Sequence, residues 1–516
     1  MGLYDMTFYD LICQHAKTYR NRDAWHEADD GSTLNFSEYK ARVDRLTCGL
    51  QKTGIQKGDR IGVLGKNSLE YFLVYGAAAA LGAIVLPINW RLSADEVVFN
   101  LNDCTPVALF VDPEYQPLID ENKERLSSLG QFFGLMPDED KYKTIESLMD
   151  NDGDFTPQKV SGEDGFVIIH TAAVAGRPRG ALLSHGNVLC ADMHLMHLFG
   201  LGCEDVHLNL LPLFHVAGLF MAMSSFHAGA LSINMIKFDA PRAVALIAKK
   251  NISLMFDFSP ILSAILEEQE KTGTDIRSLR AVLGIETPET IEAYQNRTGG
   301  CFYCLYGQTE TSALATLGRY NDRPGSAGRP IALSRVDLFD DNDDPVAEGE
   351  VGEIVMQGPM VFKGYWGLDE ENEKTFRNGW HHTGDLGRFD ADGFLWFEGR
   401  MPDKELIKPG GENVYPAEVE KAICEHPAVE AAVVFGVPDP KWKEAICAVC
   451  RLKPGETLSE KVLISFVGDR IARYKKPRHV VFTDEMPLLK DGSPDRSKVK
   501  EQYKDHFDSN AGKQPS

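Results

Sequence analysis

Basic residues are scarce in this chain of 516 residues relative to acidic ones. It has 54 Lys and Arg against 76 Asp and Glu, which gives a formal net charge of −22. A nucleic-acid backbone or an anionic membrane surface would repel such a chain on average. The composition therefore excludes general nucleic-acid binding. It does not exclude small anionic ligands, because these respond only to nearby charges.

Cysteine is also sparse, with 10 residues scattered along the chain, which excludes a disulfide scaffold. Two pairs have the C-x-x-C spacing of zinc and redox sites, Cys301 with Cys304 and Cys447 with Cys450. Both pairs lie in apolar runs typical of strands, where residues three apart point to opposite faces. We therefore predict reduced core cysteines and a cytoplasmic protein.

Signals for export and membrane insertion are missing as well. The first residues, MGLYDMTFYDLI, have neither a basic segment nor a long apolar segment, so no signal peptide is predicted. One uncharged run, residues 71–88, has the length of a membrane span, but Gly82 and Pro87 interrupt it. It predicts a buried helix followed by a buried strand.

Helical and strand-like segments alternate through most of the chain, which predicts an α/β fold with parallel strands and crossover helices. The segments predicted as helices are 36–52, 68–81 and 93–100. The segments predicted as strands are 58–65, 84–88, 107–112, 165–171, 207–214, 252–258, 279–285 and 301–307.

Short strands and frequent turns between about 330 and 400 predict a small antiparallel β region. A charged turn then leads into a second α+β unit, with helices predicted at 416–425 and 459–472 and strands at 431–437, 445–452 and 479–482. We predict a large N-terminal domain of doubly wound α/β sheets over 1–400, a hinge at 401–404 and a smaller mobile C-terminal domain over 405–516. Residues 508–516 are predicted to be a disordered tail.

The segment TAAVAGRPRG, residues 171–180, follows a predicted strand and combines small residues with Arg177 and Arg179. A loop of small residues lets backbone N–H groups approach phosphates, and arginine pairs with them. The pattern is not a P-loop. Taken alone it is equally compatible with a surface turn that carries two arginines.

The segment LYGQTETS, residues 305–312, directly follows another apolar strand. It places Tyr306, Thr309 and Glu310 at the carboxyl end of that strand, where ligands bind in open α/β sheets. The ring of Tyr306 can stack on a base, Thr309 can donate to a phosphate, and Glu310 can hold Mg²⁺. The alternative is the capped start of a helix at Thr309.

Two further segments combine glycine with polar residues. In WHHTGD, residues 380–385, the carboxylate of Asp385 can accept both hydroxyls of a ribose. In IKPGGENVYPAEVE, residues 407–420, the glycine pair lets the backbone pass close to a ligand before a helix that Pro416 starts.

These four segments, in this order, resemble the adenylate-forming superfamily, and within it the AMP-forming acyl-CoA synthetases. The resemblance covers essentially the whole chain and includes LPLFHVAG, GSAGRP, GEIVMQGPMVFKGYW, FGVPDPKWKEA and RYKKPRHVVF. The form GGENVYPAEVE is similar to fatty-acyl and aryl-CoA ligases. The implied cofactors are ATP, Mg²⁺ and coenzyme A, and the implied substrate is a small carboxylic acid.

The resemblance implies a nucleotide site. Tyr306 and Gly307 would pack on adenine, opposite a wall that includes Gly284, Glu286 and Thr287. Thr309 would touch the α-phosphate, Glu310 would hold Mg²⁺, and Asp385 with Arg400 would bind the ribose. The loop with Thr171, Gly176 and Arg179 would wrap the β- and γ-phosphates.

The resemblance also implies a hinge and an acyl site. The C-terminal domain would swing about Asp403, and Gly410 with Gly411 would line the tunnel for the pantetheine arm of CoA. His215 would lie near the carboxylate and acyl pocket, although a core histidine is the alternative. The basic run 473–478 would meet the CoA phosphates, or else form a solvated turn.

Two segments depart from the family pattern. The usual phosphate loop T-S-G-T-T-G-x-P-K-G has become TAAVAGRPRG, which keeps a positive charge at Arg179 but loses hydroxyl donors. The family lysine that bridges the carboxylate and the α-phosphate is replaced by Ser493. A hydroxyl cannot neutralise two anions, so we predict slow adenylation, or a substitute role for Lys490 or Lys498.

The leading hypothesis is a ligase that forms acyl-CoA from a hydrophobic acid, fatty or aryl, through an acyl-AMP intermediate. One alternative is an enzyme that performs only the acyl-AMP or thioester half-reaction. Another is a non-catalytic homologue that binds nucleotide or acyl-CoA. The identity of the acid and the oligomeric state, including a homodimer, stay open from the sequence.

Overall fold

The computed structural model describes residues 5–136, 141–174, 177–401, 406–409, 412–439, 442–489 and 494–508. The chain falls into two compact units. The first contains residues up to Trp90, Asn100–His170 and Gly180–Gly399, and the second contains Arg91–Phe99, Thr171–Arg179 and the chain from Arg400. The hinge predicted at 401–404 stays a prediction, because Asp403 lies outside the described residues, as does most of the predicted tail.

The helices occur throughout the chain and alternate with strands. They are α1 Phe8–Thr18, α2 Phe36–Lys52, α3 Leu69–Leu81, α4 Ala94–Cys104, α5 Gln116–Asn122, α6 Ile145–Leu148, α7 His185–Phe199, α8 Val216–His227, α9 Ala240–Lys250, α10 Ile261–Thr272, α11 Pro288–Thr298, α12 Asp369–Thr375, α13 Pro416–Cys424, α14 Glu460–Gly468 and α15 Arg496–Asp508.

The strands are short, as expected for a chain with frequent turns. The first half contains β1 Asp23–Glu27, β2 Thr33–Asn35, β3 Arg60–Leu64, β4 Ile84–Ile88, β5 Ala108–Val111, β6 Gln131–Gly134, β7 Lys143–Thr144, β8 Gly165–Val174, β9 Arg177–Ser184, β10 Val206–Asn209, β11 Leu231–Asn234 and β12 Leu254–Phe258. The second half contains β13 Ala281–Ile285, β14 Cys301–Tyr306, β15 Thr316–Arg319, β16 Arg329–Pro330, β17 Arg335–Phe339, β18 Gly352–Gln357, β19 Gly364–Tyr365, β20 His381–Phe389, β21 Leu395–Arg400, β22 Val429–Asp439, β23 Lys443–Leu452 and β24 His479–Phe482.

The first unit is built mainly on two large sheets and one small sheet. Their arrangement with the helices confirms the predicted α/β fold class. A nine-stranded sheet has the order β16-β15-β14-β13-β12-β10-β11-β1-β2, and an eight-stranded sheet has the order β19-β9-β8-β4-β3-β5-β6-β7. Strands β10 to β14 pair in parallel, with a neighbouring helix crossing between them. The four-stranded sheet β17-β18-β20-β21 holds the antiparallel region predicted between about 330 and 400.

The uncharged run at 71–88 is the buried helix and strand that its glycine and proline predict. The Ser68 hydroxyl caps α3, and Gly82 ends the helix with a left-handed backbone at φ 69°. Strand β4 follows, buried along its whole length between β3 and β8. Among the described residues, no helix has both the length and the apolar character that a bilayer crossing requires.

The strand predicted over 207–214 is wrong beyond Asn209, where β10 ends. The apolar run continues, but the side chain of Asn67 binds its backbone in place of a neighbouring strand. The amide of Asn67 donates to the Leu211 carbonyl at 2.8 Å, and its oxygen accepts the Leu213 N–H at 2.8 Å. The run therefore leaves the sheet and leads into α8.

The C-terminal part of the second unit is built on the three-stranded sheet β22-β23-β24. Cys447 and Cys450 lie in β23 and face two different apolar clusters, one with Phe435 and the other with Val434. The predicted orientation of this pair to opposite faces of the strand is confirmed. Helix α15 was not predicted, because its surface is strongly polar and few side chains, such as Val499, anchor it to the sheet.

A buried carboxylate, Glu353, holds β18 against β20. His382 Nδ1 and the backbone N–H of Gly384 each lie 2.8 Å from its oxygens, and the Arg377 guanidinium lies 3.0 Å away. Burial by itself would raise the pKa of Glu353, but the hydrogen bonds from His382 and Gly384 and the charges of His382 and Arg377 lower it to about 2. The folded chain therefore favours the charged carboxylate.

We expect Glu353→Gln to lower the stability of the fold by about 3 kcal/mol at neutral pH, because it removes the buried carboxylate that binds His382, Gly384 and the Arg377 guanidinium. Because the pKa of Glu353 is lowered by folding, its carboxylate stabilises the fold fully at pH values above its ordinary pKa of 4.5. This stabilisation is lost as the pH falls from 4.5 towards 2. The gap in melting temperature between wild type and variant should therefore narrow below about pH 4.5.

The control is Glu350→Gln, which changes an exposed carboxylate in the same region and should leave the melting temperature nearly unchanged. Melting curves from neutral pH down to pH 3 check the prediction. A gap that keeps its full size at pH 3 would contradict it.

Candidate functional site

The segment YGQ, residues 306–308, is bound to the antiparallel sheet by a buried carboxylate. Tyr306 Oη donates to Asp385 Oδ2 at 2.8 Å, and Gln308 Nε2 donates to the same oxygen at 2.5 Å. Asp385 is only 1% exposed. Between the two donors, Gly307 has no space for a side chain, because a Cβ would lie 2.1 Å from the Ala313 carbonyl oxygen.

The backbone of β20 presents Asp385 through a tight Gly turn. Gly384 has φ 68°, a conformation that favours glycine. The Asp385 N–H donates to Thr383 Oγ1 at 3.2 Å, and the Thr383 carbonyl accepts Gln308 Nε2 at 3.1 Å. Since Glu353 holds Gly384 from the other side, the carboxylate of Asp385 is fixed in place before any ligand arrives.

The segment TETS, residues 309–312, is bound in turn to the region around β19. Glu310 is buried, and its Oε1 accepts the Tyr365 hydroxyl at 2.8 Å. The Glu310 carbonyl accepts the Phe362 N–H at 2.9 Å, and Ser312 Oγ donates to the Met360 carbonyl at 2.7 Å. No sequence signal assigned a role to Tyr365, although this residue lies in the segment GEIVMQGPMVFKGYW.

Thr309 begins a short 3₁₀ helix, Thr309–Thr311, so the capped helix start of the alternative interpretation is present. Its N-cap is Gln308, whose backbone N–H donates to Thr311 Oγ1 at 2.9 Å. Ser312 and Ala313 then adopt left-handed backbone angles of 53° and 72°. Such angles cost non-glycine residues about 1 kcal/mol or more each, so the surrounding bonds must hold this turn in shape.

The predicted adenine wall lies at the carboxyl end of β13, which pairs in parallel with β14. Gly284 passes so close to β12 that a Cβ would lie 2.1 Å from the Asp257 carbonyl oxygen. Thr287 caps α11 by accepting the Thr290 N–H, and Glu286 Oε2 accepts the Thr287 N–H at 2.7 Å. Gly284, Glu286 and Thr287 therefore follow the same edge of the sheet as Tyr306.

His215 is half-buried and is not the core histidine of the alternative interpretation. Its Nδ1 accepts the Ala217 N–H at 3.2 Å as the N-cap of α8, which leaves the ring proton of the neutral form on Nε2. The imidazole ring packs edge to face against Phe258, with 6.0 Å between the ring centroids. The ring centroids of Phe258 and Phe256 lie 5.3 Å apart. An imidazole N–H thus lies beside an aromatic wall.

The predicted phosphate loop joins the hairpin of β8 and β9, and its residues Thr171–Arg179 belong to the second unit. Thr171 Oγ1 donates to the Arg179 carbonyl at 3.3 Å across the hairpin. The side chain of Arg179 is buried, which contradicts the alternative of an exposed arginine turn at this position. Gly176 lies outside the described residues.

Most of the predicted C-terminal site residues, namely Asp403, Gly410, Gly411, Lys490 and Ser493, also lie outside the described residues. Arg400 ends β21 and is half-buried. Leu488 and Pro494 pair across the segment that contains Lys490 and Ser493. Lys498 pairs with Asp495 at 3.0 Å, and Arg496 donates to Glu420 at 2.6 Å.

The basic run at 473–478 is partly paired with carboxylates of its own unit. Lys475 is 4% exposed, and its Nζ lies 2.7 Å from Glu96 Oε1 and 2.8 Å from Glu418 Oε2. Arg478 pairs with Asp439 at 3.0 Å. The expectation that the whole run meets CoA phosphates is therefore wrong for Lys475, whose charge is already balanced.

Comparison with known proteins gives a consistent result. The family model described as AMP-binding enzyme matches residues 13–366, and the model of the AMP-binding enzyme C-terminal domain matches residues 418–492. The chain is 33% identical over 462 residues to indoleacetate–CoA ligase of Aromatoleum aromaticum, covering 88% of this chain and 90% of that protein. It is 30% identical over 507 residues to long-chain-fatty-acid–CoA ligase FadD13 of Mycobacterium tuberculosis, covering 96% and 98%.

The fold is also similar to that of a solved enzyme structure. The o-succinylbenzoate CoA synthetase of Bacillus subtilis, in a double-mutant form bound to a product analogue, superposes with a TM-score of 0.83 at 26% identity. The match covers 96% of this chain and 99% of that one.

Proposed function

The chain belongs to the AMP-binding enzyme family, and we propose that it joins a hydrophobic carboxylic acid to coenzyme A with the use of ATP. The acid's carboxylate oxygen attacks the α-phosphorus of ATP, and pyrophosphate leaves. The CoA sulfur then attacks the carbonyl carbon of the acyl-AMP, and AMP leaves. Both steps depend on holding anions in line and balancing their charge.

The buried carboxylate of Asp385 is the observation that carries this proposal. Two donors, Tyr306 and Gln308, hold one of its oxygens at the carboxyl end of β14. A fixed carboxylate is an acceptor for the two hydroxyls of a ribose, and the ring of Tyr306 next to it provides a flat surface for the base. The 0.83 TM-score match to a CoA synthetase supports the proposed class of activity.

Glu310 is suited to Mg²⁺. Magnesium binds proteins through one or two carboxylates and keeps phosphate oxygens and waters as its other ligands. The Glu310 carboxylate is buried and oriented by Tyr365, beside the hydroxyl-bearing turn at Thr309. A bound Mg²⁺ would offset phosphate charge at the reacting α-phosphorus, and Thr309 would donate to the same group.

The acyl side of the site is apolar, apart from His215. Phe256 and Phe258 line the approach to the imidazole, so an acid would meet an aromatic wall with one N–H donor beside it. This arrangement favours fatty or aryl acids over acetate. Indoleacetate and long-chain fatty acids appear in the names of the relatives, which supports this substrate class.

The proposed function is tested by incubating the protein with ATP, Mg²⁺ and CoA and a panel of acids. The panel contains acetate, medium- and long-chain fatty acids, indoleacetate and ferulate, and AMP release is measured. We expect AMP only with the apolar acids and only when CoA is present. Binding of ATP with no AMP from any acid would overturn the proposal and favour the non-catalytic alternative.

We expect Tyr365→Phe to raise the Mg²⁺ concentration needed for half-maximal AMP release about fivefold. The hydroxyl orients Glu310, and one lost hydrogen bond of about 1 kcal/mol corresponds to that factor. The control is Tyr142→Phe, which removes a comparable hydroxyl bond to Asp120 on the surface. An unchanged Mg²⁺ requirement in Tyr365→Phe would contradict the assigned role of Glu310.

We expect Ser493→Lys to accelerate adenylation by about 10²-fold, the usual effect of one group that stabilises transition-state charge. Exchange of labelled pyrophosphate into ATP measures this step alone. The rate from synthetic acyl-AMP and CoA should stay unchanged, since thioester formation does not use that lysine.

The matched control is Ser497→Lys, which adds the same charge at an exposed position of α15. Equal exchange rates in both variants and in wild type would mean that this chain adenylates without a lysine at position 493.

A further inference from the structure

A compact group of three ligating side chains lies in the first unit, apart from the residues assigned above. Asp103 and Cys104 end α4, and His170 lies in β8. All three side chains are buried: Cys104 is 0% exposed, and the His170 and Asp103 side chains are 5% and 8% exposed. Among the described residues, this is the one group of three whose ligating atoms all lie within 4.8 Å of one another.

The three ligating atoms form a compact triangle with one shorter side. His170 Nε2 lies 3.1 Å from Asp103 Oδ2 and 3.9 Å from Cys104 Sγ, and the sulfur lies 4.0 Å from the same carboxylate oxygen. Tetrahedral zinc with bonds of about 2.3 Å to sulfur and about 2.0 Å to nitrogen and oxygen holds its ligand atoms about 3.3–3.6 Å apart. Shifts of about half an ångström would therefore bring these atoms into zinc coordination.

The packing and charge of the group agree with a bound cation. Gly180 faces the group, and a Cβ there would lie 3.5 Å from Cys104 Sγ and 3.6 Å from His170 Nε2. A Cβ there would also lie 2.7 Å from Ile168 Cγ2, so the glycine backbone packs directly against the group. A thiolate and a carboxylate together balance a divalent ion, so the loaded group carries no net charge into the interior.

A proton relay to a nucleophilic cysteine fits these atoms less well. A relay needs the carboxylate on one imidazole nitrogen and the thiol on the other. Here Asp103 and Cys104 both approach Nε2, and within the described part of the chain Nδ1 has no hydrogen-bond partner.

The geometry points to a zinc site formed by Asp103, Cys104 and His170. Sulfur, imidazole and carboxylate ligands suit Zn²⁺, whereas Mg²⁺ prefers oxygen alone. The three ligands leave a fourth position open for water. This site is separate from the proposed Mg²⁺ ligand Glu310 and does not depend on the proposed ligase activity. Its place next to Thr171 in the sequence links it directly to the strand that leads into the phosphate loop.

The test uses the full-length protein, stripped with a chelator and then loaded with Zn²⁺, Co²⁺ or Mg²⁺ alone. Metal content per chain is measured by mass spectrometry, and the Co²⁺ form is examined for thiolate-to-cobalt charge-transfer absorption. We expect about one zinc ion per chain, a charge-transfer band with Co²⁺ and a higher melting temperature with Zn²⁺ but not with Mg²⁺.

The variants Cys104→Ser and His170→Gln should each lower zinc affinity at least tenfold. Cys104→Ser should also abolish the charge-transfer band, because it removes the sulfur ligand. The control is Cys190→Ser. Cys190 lies 3.8 Å from His194 Nδ1 but belongs to no group of three among the described residues, so this variant should bind zinc like wild type.

Asp103→Asn provides a second variant in case loss of the buried sulfur or ring prevents folding. It keeps the size of the side chain and should weaken zinc binding without removing the cobalt band. Zinc absent from the wild type after loading, or a full band and stoichiometry in folded Cys104→Ser, would overturn the proposal.

Discussion

The fold of the first unit depends on hydrogen bonds that one short segment makes to its neighbours. Residues 306–308 bind Asp385 and Thr383 of the antiparallel sheet, and residues 310–312 bind the region around β19 at the edge of the eight-stranded sheet. The segment itself continues β14 of the nine-stranded sheet. Three sheets therefore meet at a single turn, which also carries the proposed ribose, base and magnesium contacts.

Charge is balanced locally at two sites of this molecule that contain buried charged groups. Glu353 neutralises Arg377 beside the turn that presents Asp385, and Lys475 in the second unit lies between Glu96 and Glu418. The net charge of −22 therefore does not describe these two sites, where opposite charges are paired. Buried pairs of this kind add little net stability but make removal of one partner expensive, so they fix geometry more than they add free energy.

Much of the fold was predictable because apolar periodicity decides helices and strands where nothing competes with it. Strands β4 and β24 have the predicted bounds, and α2 does as well. The prediction was wrong where a distant side chain intervened: Asn67 ends β10 early by binding the backbone of an apolar run. Helix α15 was not predicted because its surface is mostly polar. Its packing against the sheet through a few apolar side chains leaves no clear apolar periodicity in the sequence.

The candidate site was also predictable only where the signal is local in sequence. Tyr306, Thr309 and Glu310 were predicted from their position after a strand, Asp385 from its glycine turn, and all four from the family resemblance. The hydrogen bond between Tyr306 and Asp385 joins residues 79 apart in sequence, and no local signal reveals it. Tyr365 was missed for the same reason, since its partner Glu310 is 55 residues away. Long-range hydrogen bonds are a property of the folded topology, not of any window of sequence.

The meeting of three sheets at residues 306–312 also affects how the chain can change over evolutionary time. Folding and the proposed nucleotide contacts constrain the same residues there, so a descendant that lost its activity would still keep the turn in order to fold. The departures from the family pattern lie elsewhere, in 171–180 and at Ser493. Substitutions that change the chemistry are therefore expected to accumulate in the phosphate loop and the C-terminal segment, where they need not destabilise the fold.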